Sequence, residues 1–163
     1  MIYSNSNARD LVFDPTRNQL YITTTGGTIE RYDVSANKLL TPYGIPGASL
    51  IGADLTPDGS VLVVGDATYG ATQGVIHRID LPTGTNTNLT YNLASSERGS
   101  YDVVALTNSR VLFSASRGGT GSVPFREVNL STNTVAIRPD LDDLSQDSWF
   151  SRNADYSRMI VGE

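Results

Sequence analysis

Cysteine is absent from the 163 residues, so no disulfide framework and no thiolate zinc site can be drawn. That absence suits the cytosol and a secreted or periplasmic bacterial protein equally well, and the compartment stays open. Histidine and tryptophan occur once each, as His77 and Trp149. A single histidine without cysteine cannot supply a zinc set, and no serine or carboxylate stands at a recognisable catalytic spacing from it. Charge is sparse at 18%, and its balance is acidic, with 17 Asp and Glu against 12 Lys and Arg. A net charge of −5 and a pI near 4.7 argue against a partner held by neutralising phosphates, so nucleic acid is not expected. No apolar run approaches the ~20 residues of a spanning helix, so membrane insertion is not expected, and Met1-Ile2-Tyr3-Ser4-Asn5 has neither the basic start nor the apolar stretch of a signal peptide.

Glycine, Ser, Thr and Asn are abundant instead, and apolar residues make up 39%, the usage of a short-stranded, turn-rich all-β protein. One phrase recurs three times: Asp33-Val34-Ser35-Ala36-Asn37, Asp80-Leu81-Pro82-Thr83-Gly84 and Asn129-Leu130-Ser131-Thr132-Asn133, at offsets of 47 and 49 residues. In each, the leading Asp or Asn can accept backbone N–H groups ahead of it, and the closing Asn or Gly tolerates a left-handed backbone. Near-continuous apolar runs precede them: Leu20-Tyr21-Ile22, Val61-Leu62-Val63-Val64 and Val111-Leu112-Phe113, with Met159-Ile160-Val161 as a fourth. Such runs mark strands covered on both faces. Four strands per unit divide the chain into units at 8–49, 50–100 and 101–147 and a partial unit at 148–163, the repeat length of β-propeller blades.

The first unit, from Phe13-Asp14-Pro15 through Gln19-Leu20-Tyr21-Ile22-Thr23 to Arg31-Tyr32-Asp33-Val34, resembles the YVTN, NHL and lactonase-like group of propeller repeats. The resemblance implies a propeller-type fold and leaves activity open. Lactonase-like propeller hydrolases draw acidic, His or Arg groups toward the axis from several blades. This chain offers few such groups, so a non-catalytic module for binding or scaffolding is the expected role, with a hydrolase fragment as the alternative and an excised or engineered segment as a third. No cofactor is expected.

Propellers close with about four to eight blades. Three and a fraction leave an open face and an apolar edge at Met159, Ile160 and Val161, to be met by the rest of a longer propeller or by a second copy, two copies supplying about seven blades. Trp149 is expected to pack in the core against the third unit, or to anchor that interface.

Two long glycine-bearing loops, Gly65 to Gly74 and Ser116 to Pro124, should lie on the ligand-binding face. Asp66, Tyr69, Asp102, Arg117 and Arg152 would gather on or near it, groups suited to a peptide, protein or glycan; solvated loops are the alternative. His77 aligns with Glu30 and Arg126, which suggests a rim position. Asp140, Asp142, Asp143 and Asp147 form the densest carboxylate run, and a solvated loop carrying Asp turn-formers is the expected reading; a weak calcium site is the alternative, although the EF-hand pattern is absent. Gly118-Gly119-Thr120-Gly121 lacks the Lys-Ser/Thr pair of a phosphate loop and reads as a turn.

Overall fold

The computed structural model describes residues 7–68, 70 and 72–162. Among them are sixteen strands, and no helix is long and apolar enough to cross a membrane. Strands β1 (Ala8–Asp14), β2 (Gln19–Thr24), β3 (Thr28–Asp33) and β4 (Lys38–Gly44) form a first antiparallel sheet in chain order. A second sheet repeats that order with β5 (Leu50–Leu55), β6 (Val61–Asp66), β7 (Gln73–Asp80) and β8 (Thr85–Asn92). The third contains β9 (Glu97–Ala105), β10 (Arg110–Arg117), β12 (Arg126–Asn129) and β13 (Thr134–Ile137). Between β10 and β12 lies β11 (Ser122–Val123), which pairs instead with β14 (Leu144–Ser145). Strands β15 (Trp149–Arg152) and β16 (Met159–Gly162) form a last, two-stranded sheet.

The recurring turn is built the same way in all three large sheets. Asp33 Oδ1 accepts the Ala36 N–H at 2.8 Å, Asp80 Oδ1 accepts that of Thr83 at 3.0 Å, and Asn129 Oδ1 accepts that of Thr132 at 3.2 Å. Asn37, Gly84 and Asn133 then take φ of 52°, 73° and 55°, the left-handed region that Asn and Gly tolerate.

Successive sheets stack face to face, and the second strands explain why their apolar runs are continuous. Neighbouring residues of a strand point to opposite faces. Leu62 and Val64 therefore enter a core shared with the first sheet, where Tyr21 and Ile29 meet them, while Val61 and Val63 enter a core shared with the third, against Val111 and Phe113. Leu112 and Ala115 turn the other way, into a third core with Phe125, Val123 and Leu144, on which Phe150, Met159 and Val161 pack.

Strands β1, β5, β9 and β15, the first of each sheet, lie beside one another in succession. They belong to different sheets and share no ladder, so N–H groups facing the neighbouring strand need another partner. Aspartates supply it: Asp10 Oδ2 accepts the Ala53 N–H at 2.8 Å, Asp54 Oδ2 that of Ala105 at 3.0 Å and Asp102 Oδ2 that of Phe150 at 2.6 Å. The other oxygen of each accepts the N–H of the following residue, Leu11, Leu55 or Val103. One carboxylate thus fixes its own strand and ties it to the next sheet.

Strands extend into both of the glycine-bearing segments. Between Gly65 and Gly74, β6 continues to Asp66 and β7 begins at Gln73. Within Ser116 to Pro124, β11 places Val123 in the third core.

Candidate functional site

The four first strands enclose a cleft of about 530 Å³. Asp10, Asp54 and Asp102 line it with Tyr101, Trp149 and Arg152. Arg152 reaches back to the second sheet, where Nε and Nη2 meet the two oxygens of Asp54 at 2.7 and 2.8 Å. A planar guanidinium and a carboxylate fit in this forked geometry, which fixes direction as well as charge. The Tyr156 ring lies 3.6 Å from the guanidinium carbon and completes the support.

Among the described residues no cation forks onto Asp102 in this way. Burial pushes its pKa up to about 6 against the pull of the Phe150 and Val103 N–H groups, and the charges of Asp10 and Asp54 add to the rise. Asp10 is raised for the same leading reason, burial. Gly52 permits this crowding: a Cβ there would stand 2.1 Å from Asp102 Oδ1 and 2.7 Å from the Asp102 Cα. The cleft therefore holds one neutralised carboxylate and two that are costly to charge, beside an aromatic wall.

Of the ligand-binding residues expected from sequence, Asp102 and Arg152 meet in this cleft. Asp66 lies elsewhere, on a cavity of about 210 Å³ that Thr68, Asn88 and Arg98 also line. Burial works against its charge, but bonds from His77, Thr68 and Ser49 outweigh it and hold its pKa below the ordinary value. Its Oδ2 faces His77 Nε2 at 3.2 Å, and its Oδ1 accepts the N–H groups of Ser49 and Thr68, both at 2.9 Å. Arg117 donates to the Ser122 carbonyl at 3.0 Å, in its own sheet's loop. Tyr69 lies outside the described residues.

His77 is not on the rim. It is 2% exposed, with Nδ1 3.0 Å from Asn88 Oδ1 and Nε2 on Asp66, so both ring nitrogens are engaged. The equivalent Arg126 is 3% exposed, forked onto Glu97 at 2.7 and 2.6 Å and lying over the Tyr91 ring. The second and third sheets accept different charges at this position because each provides a separate buried partner, Asp66 for His77 and Glu97 for Arg126.

The carboxylate run does not gather. Arg138 bonds both oxygens of Asp140 at 2.8 and 2.6 Å and holds its pKa near 2, while Asp142, Asp143 and Asp147 are exposed. Among the described residues no three His, Cys, Asp or Glu side chains are placed together to hold a metal ion.

Trp149 does not pack in the core. It is 52% exposed and lies across Gly162, while its neighbour Phe150 turns inward and stacks on Phe125 with ring centroids 5.7 Å apart. Strand alternation makes the difference, because Phe150 rather than Trp149 shares a face with Met159 and Val161. Ile160, between those two, points outward and is 68% exposed.

Sequence reasoning missed Asp10, Asp54 and the Glu97–Arg126 pair. The available signal was an acidic residue inside an apolar first strand, as in Gly52-Ala53-Asp54-Leu55.

No protein-family model matches the chain, and no curated protein resembles it in sequence. Among solved structures it is similar to an auxiliary nutrient binding protein from Bacteroides thetaiotaomicron, with a TM-score of 0.72 at 11% identity. The match covers 96% of this chain and 36% of that one, so the chain spans about a third of its neighbour's length and shares the fold of the matched part.

Proposed function

We propose that the sheets are successive blades of a propeller-type array and that the chain is a non-catalytic binding module whose axial cleft seats a small polar ligand, a glycan or a peptide. The observation that carries this is the convergence of Asp102, Arg152 and Trp149, from two different sheets, on one cleft. Each offers a distinct contact: carboxylate lone pairs for hydroxyl or amide donors, a guanidinium already oriented by Asp54, and an exposed aromatic face for the apolar side of a sugar ring or side chain. The blade resemblance of the Phe13 to Val34 stretch supports the architecture. The binding role of the nutrient-binding neighbour points the same way. Chemistry has less support, because the single histidine has both nitrogens committed inside the second sheet.

Trp149, the only tryptophan, is a built-in reporter of the cleft. Titration with panels of soluble oligosaccharides and short peptides is expected to give a saturable change in its emission for at least one class. Arg152→Ala and Asp102→Ala should weaken that binding tenfold or more. Silence across both panels, or binding that survives both substitutions in folded protein, would refute the assignment.

A further inference from the structure

The outward face of the first sheet repeats, position for position, a face that is covered twice elsewhere in the molecule. In the second sheet, Ala53 pairs with Val64, and Leu62 with both Leu55 and Ile79; these residues and Leu81 are buried under the first sheet. In the third, Val103 pairs with Phe113, and Val111 with both Ala105 and Val128; these and Leu130 are buried under the second. In the first, Leu11 pairs with Ile22, and Leu20 with both Phe13 and Tyr32. Val34 completes the set, since its N–H bonds the Asn18 carbonyl as those of Leu81 and Leu130 bond Ser60 and Ser109. Yet Leu11 is 56% and Phe13 48% exposed.

The opposite end presents the complementary face. Ser151 pairs with Ile160 in the register of Val12 with Tyr21, Asp54 with Val63 and Val104 with Leu112. Tyr21, Val63 and Leu112 are all buried against the sheet that follows, whereas Ile160 is exposed. Each chain therefore carries one uncovered face of the receiving kind and one of the covering kind, and three internal junctions show how such faces fit.

We infer that a second copy of this chain docks head to tail, its β15–β16 sheet covering the open face of the first sheet. This docking rests on the sheets being successive blades. The contact is heterologous, joining two different patches.

Sedimentation equilibrium on the full chain at micromolar concentrations is expected to give at least twice the 17.5 kDa of one copy. Leu20→Glu and Ile160→Glu, on opposite ends, should each weaken association tenfold or more. Ile160 makes no core contact, so its variant remains folded by circular dichroism. An equimolar mixture of the two should associate again, because the Leu20→Glu chain keeps an intact β15–β16 sheet and the Ile160→Glu chain an intact receiving face. A monomeric wild type, association that persists in either variant, or a mixture that stays monomeric would overturn the docking. Small-angle scattering of the Ile160→Glu monomer tests the blade arrangement separately: a fanned profile beside a monomeric wild type sinks the docking alone, and any other profile sinks the arrangement first.

Discussion

An aspartate placed between two sheets accepts N–H groups that no ladder can reach, and its own charge becomes expensive there. Asp102 shows both effects, with bonds from Val103 and Phe150 and a pKa raised from the ordinary 3.8 to about 6. The folded protein thus holds a proton that the unfolded chain releases, and the associated stability falls as pH rises from about 4 to about 6, staying level outside that window. Asp102→Asn removes this titration. Urea midpoints of wild type and variant should therefore diverge across that window in favour of the variant and run parallel above it; parallel profiles throughout would show that Asp102 titrates normally. Asp66, whose pKa is lowered, contributes in the opposite sense, but equally in both proteins. Asp102 and Arg152 stood out in the sequence as loop-face candidates, and the structure places them within β9 and β15 instead. Asp54 was not, because its value depends on Ala105 and Arg152, which belong to two other sheets.

At the level of elements, periodicity was informative wherever one strand serves two cores. The runs at Val61 to Val64 and Val111 to Phe113 located the second strands, and the Asx-led turns located the third-to-fourth hairpins. The β11–β14 pairing was hidden, since two residues on each side are too few to show alternation. Charge inside β12 was equally misleading. Arg126 suggested an outer position, whereas it ties β12 to β9 through Glu97 with side chains 4% and 1% exposed. Breaking one member of such a buried pair leaves an uncompensated charge and costs about 3–5 kcal/mol. Glu97→Gln should lower unfolding stability by about that amount, and adding Arg126→Met should restore part of it. Strict additivity in urea denaturation would show that the two side chains are not coupled.

The whole molecule is a succession of sheets with unequal cover. The second is packed on both faces, and β6 is buried at every residue from Val61 to Asp66. Among the described residues the first has one bare face, and the last has two strands with one face covered. Two-stranded sheets are marginal alone, and local opening follows the number of covered faces. Amide exchange should therefore be slowest in β6 and β10, intermediate in β2 and fastest in β15 and β16. The order separates a sheet-by-sheet hierarchy from a single cooperative unit, which would give one common protection for all four. Concentration adds a second axis, because docking of a second copy covers β1, β2, β15 and β16 together and leaves β6 as it was. Protection at both ends should then rise in parallel as protein concentration increases. A rise at one end alone would require a contact between like faces, which the complementary registers of Leu20 and Ile160 do not favour.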